Sequence, residues 1–73
     1  MPFVNVRTVR GLLDERQKRE IQRRITDLMV EVEGRGNEAF RANVWVMIDE
    51  QEPENWSIGG RPVTPESVAK ITG

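Results

Sequence analysis

The alternation of apolar and polar residues predicts two β-strands in this chain. Residues 3–9, Phe-Val-Asn-Val-Arg-Thr-Val, are rich in β-branched side chains and end shortly before Gly11. Residues 44–50, Val-Trp-Val-Met-Ile-Asp-Glu, form the clearest strand pattern. Because side chains alternate across a strand, each strand has one β-branched face. These faces carry Val4, Val6 and Thr8 in the first strand and Val44, Val46 and Ile48 in the second.

A helix is predicted between the two strands. Asp14 is followed three residues later by Gln17, which resembles a capping box at a helix start. Gly34 or Gly36 is expected to end the helix. Its apolar stripe has helical spacing and comprises Ile21, Ile25, Leu28, Met29 and Val32. The opposite face is predicted to be solvated with local ion pairs, and it carries Lys18, Arg19, Gln22, Arg23, Asp27 and Glu31.

The order strand, helix, strand predicts a parallel pair of strands joined by a right-handed crossover. The helix stripe would then cover the β-branched faces of both strands. The other face of the sheet carries the apolar side chains of Phe3, Val9, Trp45 and Met47, and nothing else in the chain is left to cover them. An exposed apolar patch of this kind indicates a subunit interface or a pocket.

The C-terminal part predicts a hairpin. Residues 51–55 are polar and form a turn, and residues 56–60, Trp-Ser-Ile-Gly-Gly, have the glycines of a tight β-hairpin. Residues 61–63 are expected to be a short return strand, and residues 65–71 fit either one helical turn or a loose tail. The predicted fold class is α+β, a β-α-β subunit with parallel strands and a C-terminal β-hairpin.

Composition limits both the core and the partners. We expect the 73 residues to form a single domain, residues 1–73, which buries only about 60% of its unfolded surface. The chain contains no Cys and no His, so disulfides and ordinary metal sites are excluded and oligomerisation remains as a source of stability. The net charge is −1, and no apolar run approaches the roughly 18 residues that span a bilayer. We therefore expect no nucleic-acid partner, no membrane partner and a cytoplasmic location.

These features, taken in order, resemble the 4-oxalocrotonate tautomerase family. No single piece is specific, but the order and spacing along nearly the whole chain are. The shared points are Met-Pro followed by a strand, Gly11, Asp-Glu-Arg-Gln-Lys at residues 14–18, Ile-Thr-Asp at 25–27, the strand 44–50 and the hairpin 56–60. The resemblance implies a β-α-β subunit that forms a homo-oligomer, mostly a hexamer, with active sites between subunits.

The resemblance also implies an isomerase that needs no cofactor and no metal. The family moves a proton between carbon and oxygen in 2-hydroxydienoates and related enols of 2-oxo acids, so the expected partner is a small-molecule substrate. One alternative is a hydratase or dehalogenase-like member, in which a charged Pro2 is the acid and Asp49, Glu50 or Glu52 activates water. The other is a non-catalytic oligomeric subunit, paired with a second chain that supplies arginines.

Pro2 is the predicted catalytic residue. Met before Pro favours removal of the initiator Met, which leaves Pro2 with a secondary amine at the N-terminus. An ordinary α-amino group has a pKa of about 7.7 to 8.0, and apolar surroundings lower it by disfavouring the ammonium form. A base with a pKa near neutral suits general acid–base catalysis. Pro2 is therefore expected to take a proton from the enol hydroxyl and return it to carbon.

The chain departs from the family pattern at two arginines. The best-known members have one just after the first strand and one in the second strand, and these bind the substrate carboxylate and polarise its other end. Leu12 or Leu13 occupies the first position here and Trp45 the second. Bidentate arginine contacts suit carboxylates. The candidates to replace the lost arginines are Arg7, Arg10, Arg41 and Arg61, each of which has a solvated surface role as its alternative.

Apolar side chains are expected to form the rest of the site. Trp56 lies where the family places an aromatic pocket wall; its alternative role is to pin the hairpin, and the two roles can coexist. Trp45 either narrows the pocket or packs at the subunit interface. Phe3, Val9 and Ile58 are expected to be further pocket walls, with interface packing as the alternative.

Overall fold

The computed structural model of the chain describes residues 1–72. It has four strands, two α-helices and two short 3₁₀ helices, Glu38–Asn43 and Pro53–Asn55. In chain order the main elements are β1 (Phe3–Val9), α1 (Glu15–Val32), β2 (Trp45–Gln51), β3 (Ser57–Ile58), β4 (Arg61–Pro62) and α2 (Pro65–Thr72).

The two long strands pair in parallel, as predicted. The register runs from Phe3 opposite Trp45 to Val9 opposite Gln51. Helix α1 packs against β2, and the β-branched sides of both strands are half-buried. The other side of the sheet stays open, with Phe3 60%, Trp45 61% and Met47 45% exposed. The predicted covered face is therefore confirmed. The predicted uncovered face is confirmed for Phe3, Trp45 and Met47 but wrong for Val9, which is only 9% exposed because Trp56 and Val63 lie beside it.

The start of α1 is the predicted capping box. The backbone N–H of Gln17 donates to the Asp14 carboxylate at 2.7 Å, and the backbone N–H of Asp14 donates to the Gln17 side chain at 3.0 Å. These bonds satisfy N–H groups that the first turn leaves without partners. The C-cap is Glu33, directly before Gly34.

The predicted stripe of α1 is partly wrong. Val30, which is not part of the predicted stripe, is 3% exposed and is the most buried residue of the helix. Leu28 and Val32 are 53% and 67% exposed. Leu28 lies about 100° around the helix axis from the half-buried Met29, and so beyond the edge of the covered face. Val32 is the last residue of the helix.

The hairpin is confirmed, and the C-terminal prediction is corrected. Strands β3 and β4 pair antiparallel around Gly59 and Gly60, whose φ angles of 60° and 83° suit a two-residue turn. The residues after Thr64 form the eight-residue helix α2, which is longer than one turn and is not a loose tail. Its start is capped, because the backbone N–H of Ser67 donates to the Thr64 hydroxyl at 3.2 Å. Val68, 5% exposed, anchors it.

The predicted solvated face of α1 is confirmed except at Lys18. Ion pairs such as Arg19 with Glu15 lie on that face. The side chain of Lys18 is only 21% exposed, and its Nζ lies 2.6 Å from Oε1 of Glu50, which is 11% exposed. The pair therefore ties the start of α1 to the end of β2. Removing either residue would leave the other charge half-buried without a partner, which lowers the free energy of unfolding.

We expect the Lys18–Glu50 pair to stop stabilising the fold at alkaline pH. The hydrogen bond to Glu50 raises the pKa of Lys18 above the ordinary 10.5, so its contribution is complete below pH 10.5 and lost as pH rises through the raised value. The chain has no Cys and no Tyr, and its only other lysine, the exposed Lys70, provides the control position. The free energy of unfolding in urea should fall between about pH 10 and 12 in native protein and in the Lys70→Met control. The same fall in Lys18→Met would contradict this assignment.

The core of the isolated chain is thin. Of the described residues, only Val9, Val30 and Val68 are buried apolar residues. The accessible surface is 5622 Å², against about 4600 Å² for a compact monomer of this mass. The radius of gyration is 15.4 Å, against about 11 Å for a compact domain of this length. No helix in the described part of the chain has the length and apolar character needed to cross a membrane.

Candidate active site

Pro2 lies directly before β1 at one end of the sheet. Its carbonyl accepts a hydrogen bond of 3.0 Å from the backbone N–H of Trp45, so the sheet fixes its position. Met1, Phe3 and Trp45 line a shallow, mostly apolar cleft of about 250 Å³ beside it. Met1 is 81% exposed. While Met1 is attached, the Pro2 nitrogen is an amide, and removal of Met1 converts it into a secondary amine.

A second apolar cleft lies towards the other end of β1. Its volume is about 210 Å³, and β1, the hairpin and the residue after β4 form its walls. The backbone N–H of Val63 donates to the Trp56 carbonyl at 3.0 Å, which fixes the hairpin against this cleft. The lining residues are Arg7, Thr8, Val9, Trp56, Ile58 and Val63.

The two clefts are far apart in one chain. Pro2 and Val9 lie at opposite ends of β1, a separation of roughly 23 Å at the usual rise per strand residue. The structure thus brings the predicted site residues together in two groups. Pro2, Phe3 and Trp45 share the first cleft, Arg7, Val9, Trp56 and Ile58 share the second, and Arg10, Arg41 and Arg61 line neither.

Arg7 is the one candidate arginine that lines the second cleft, and it is paired. Its Nε donates to Oδ2 of Asp49 at 3.1 Å. The side-chain amide of Gln51 donates to the other oxygen, Oδ1, at 2.9 Å. The Asp49 carboxylate therefore has a donor on each oxygen.

Arg10 and Arg41 are engaged elsewhere. Arg10 lines a separate cleft beside Gly11 and Val68, and its Nε lies 2.5 Å from Oε1 of Glu52. Arg41 contacts Glu38 and Asp27 on the helix side of the sheet, and hydrogen bonds to these carboxylates raise the pKa of its guanidinium. Neither side chain faces the clefts that contain Pro2 or Trp56.

Arg61 is the exposed first residue of β4, opposite Ile58 in the hairpin register. Within the part of the chain that the structure describes, it forms no ion pair, unlike the other three candidates. Among residues 1–72, no three acidic side chains lie close enough together to bind a metal ion.

Sequence reasoning missed the link between Arg7 and Asp49, although Asp49 was considered as a water-activating carboxylate. The signal was present, because both residues lie on the open face and the parallel register places them opposite each other. Opposite charges across two strands attract. The register itself was not predicted, so the pair remained hidden.

Comparison with known families adds to this geometry. A family model described as Tautomerase enzyme matches residues 2–65 of the chain. The chain belongs to the tautomerase family. Among curated members of the tautomerase family, "Probable tautomerase K2" of Dickeya dadantii (strain 3937) is 39% identical over 64 residues, which make up 88% of this chain and 90% of the relative.

Solved tautomerase structures confirm the fold. The crystal structure of DmpI from Helicobacter pylori has a TM-score of 0.67 and 33% identity, covering 85% of this chain and 95% of that one. TomN, a 4-oxalocrotonate tautomerase homologue in the tomaymycin biosynthetic pathway, has a TM-score of 0.71 and 25% identity, covering 94% of this chain and 91% of its own. The predicted family resemblance and the α+β fold are both confirmed.

The indole of Trp56, a wall of the second cleft, has a buried N–H group. Its Nε1 is buried and has no hydrogen-bond partner among the described residues. A buried donor without a partner costs about 1–3 kcal/mol. The indole therefore contributes its apolar ring to the cleft and offers no accessible donor.

We expect Trp56→Phe to keep or slightly raise stability, because it retains an aromatic ring and removes the unpaired donor. Trp56→Ala should lower the free energy of unfolding by about 2 kcal/mol, since it removes the ring from a half-buried site. Urea unfolding at one fixed protein concentration measures both variants. A loss in Trp56→Phe as large as in Trp56→Ala would mean that the N–H has a partner in the assembled protein.

Proposed function

We propose that the chain is a cofactor-independent keto–enol tautomerase in which Pro2 is the general base. Its substrates would be 2-hydroxydienoates or enols of 2-oxo acids. The main support is the family match, which includes Pro2, together with a half-buried Pro2 beside the rings of Phe3 and Trp45.

The proposed reaction is a one-base isomerisation. After removal of Met1, the secondary amine of Pro2 takes the proton of the enol hydroxyl, and the enol oxygen becomes a carbonyl. The protonated amine returns the proton to a carbon along the conjugated chain. The neighbouring rings disfavour the ammonium form, and the pyrrolidine ring fixes the direction of the lone pair.

We also propose that the working site forms between copies of this chain, in a homo-oligomer that the family resemblance suggests is a hexamer. The support is geometric. Pro2 lies at one end of β1 and the Trp56 cleft at the other, and the open face of the sheet between them carries exposed apolar side chains. A neighbouring subunit that covers this face can bring its own Trp56 cleft to Pro2.

Arg61 is our candidate for the substrate carboxylate. Arg7, Arg10 and Arg41 are each committed to a carboxylate of the chain, whereas no ion pair of Arg61 is seen in the described residues. Arg61 is next to Ile58, a wall of the Trp56 cleft. A guanidinium at this rim can bind a substrate carboxylate while the rest of the molecule enters the cleft.

The same ion pairs argue against the hydratase or dehalogenase-like alternative. That reaction needs a carboxylate free to activate water. The three candidates, Asp49, Glu50 and Glu52, are paired with Arg7, Lys18 and Arg10 in turn. A carboxylate whose oxygens already accept charge-assisted hydrogen bonds would have to give up those bonds before it could activate water.

The experiment that tests the proposal is the ketonisation of 2-hydroxymuconate and of phenylenolpyruvate, followed by ultraviolet absorbance. Native protein, whose mass shows that Met1 is absent, is compared with Pro2→Ala. No rate above buffer in the processed native protein would refute the tautomerase proposal. It would leave the hydratase or dehalogenase-like member and the non-catalytic subunit as the remaining hypotheses.

A further inference from the structure

The Arg7–Asp49 pair places two opposite charges at an otherwise apolar cleft. We infer that Asp49 determines substrate specificity: by neutralising Arg7, it makes the Trp56 cleft accept the apolar tail of a monocarboxylate enol and reject a second carboxylate. This inference rests on the proposed function and names the substrate class of the same site.

The geometry fixes the pair on the open face of the sheet. The parallel register sets Arg7 opposite Asp49, and the guanidinium Nε lies 3.1 Å from the carboxylate. The Asp49 side chain is 26% exposed, against 64% for Arg7. The Gln51 amide contacts the second oxygen of Asp49 at 2.9 Å, so the carboxylate is bound on both sides.

Arg7 is also the single charged residue among those that line the Trp56 cleft. An unpaired arginine there would attract the distal carboxylate of a dicarboxylic acid, because guanidinium groups bind carboxylates in bidentate fashion. With Asp49 beside it, the local charge of the pair is zero. A second carboxylate would have to compete with Asp49 for Arg7 and lie close to a like charge.

The apolar walls of the cleft also favour a monocarboxylate over a dicarboxylate. Val9, Trp56, Ile58 and Val63 offer apolar surface that cannot solvate a carboxylate. An aryl or alkyl tail has no charge to desolvate in the cleft, and burial of its apolar area favours binding. The cleft therefore favours an acid whose single carboxylate stays at the rim.

The chain contains a matched control for the experiment. Arg10 and Glu52 form an ion pair of the same chemistry, at 2.5 Å, each three residues further along the chain and directly after the end of β1 or β2. Arg10 lines the separate cleft beside Gly11 and not the Trp56 cleft. Glu52→Gln thus frees an arginine in the same way but at a place where the substrate tail does not lie.

The kinetic test compares kcat/KM for 2-hydroxymuconate, a dicarboxylate, with that for phenylenolpyruvate, a monocarboxylate. Asp49→Asn should raise the dicarboxylate-to-monocarboxylate ratio about tenfold, the scale of one added charge-assisted hydrogen bond. Glu52→Gln should leave the ratio within about twofold. Arg7→Gln should lower the ratio below native, and adding Arg7→Gln to Asp49→Asn should cancel the gain.

An equilibrium measurement separates this inference from the proposed function. Calorimetry with adipate and hexanoate reports the binding preference of the cleft without any turnover, and it is made in Pro2→Ala protein with and without Asp49→Asn. A shift of about tenfold towards adipate supports the inference even if native protein ketonises neither enol. An unchanged preference in a folded Asp49→Asn protein overturns it, even if the tautomerase activity is established. If Asp49→Asn fails to fold, a ratio unchanged in Arg7→Gln overturns it instead.

Discussion

Replacing Pro2 with Ala is expected to lower kcat for enol ketonisation by about a hundredfold or more. Ala leaves an N-terminal amine in place, but it lacks the ring that fixes the lone pair, and it packs less surface against Phe3 and Trp45. Loss of orientation alone can cost orders of magnitude in rate. The measurement is the ultraviolet ketonisation assay at saturating substrate.

Pro65→Ala is the matched control for this variant. Pro65 is the exposed first residue of α2 and lines neither the Pro2 cleft nor the Trp56 cleft, so this exchange should leave kcat within about twofold of native. If Pro65→Ala lowered kcat as much as Pro2→Ala, the loss in Pro2→Ala would reflect impaired folding and not the missing ring at Pro2.

Protein that retains Met1 gives a stricter version of the same test. Its Pro2 keeps the ring and the surrounding side chains, but the nitrogen is an amide and has no basicity. Its activity should therefore be lost as fully as in Pro2→Ala, with mass spectrometry establishing which form is present. If the Met1-bearing form ketonises enols as fast as the processed form, Pro2 is not the base.

The sequence was sufficient to predict the fold because the strand alternation and the helical spacing of apolar residues are local patterns. The alternation in β1 and β2, the Asp14 capping box and the glycine pair of the hairpin all act within a few residues. The apolar pattern of α2 was too weak to distinguish a helix from a loose tail, because this short helix has a single well-buried residue, Val68. The start of α2 did carry a signal, since Thr64, Pro65 and Ser67 form a helix N-terminus.

The candidate site was less predictable because its decisive contacts join distant parts of the chain. Which arginine stays unpaired depends on the partners of Arg7 and Arg10, which lie 42 residues further along the chain in each case. Lys18 looked solvated on the helix wheel, yet the crossing of α1 over β2 brings it to Glu50. Residue types indicated the candidates, but only the strand register and the helix crossing separate Arg61 from the rest.

Mixing two inactive variants is expected to restore activity, because the proposed site takes Pro2 from one subunit and the Trp56 cleft from another. Pro2→Ala removes the base, and Ile58→Asn makes the cleft wall polar at a side chain that is 72% exposed in the single chain. Each variant alone should have little activity. After joint unfolding and refolding in equal amounts, roughly a quarter of the sites combine an intact Pro2 with an intact cleft.

The recovery distinguishes shared sites from sites within one chain. If each site lay inside one subunit, no mixture of these chains would contain an intact site, and the refolded mixture would show only the sum of its parents. Refolding Pro2→Ala with the double variant Pro2→Ala/Ile58→Asn is the control, since it contains no intact base. Size-exclusion chromatography of each preparation establishes that both variants still assemble. Recovery to about a quarter of native activity would then mean that Pro2 and the Trp56 cleft of one site come from different subunits. No recovery in a properly assembled mixture would contradict the shared site.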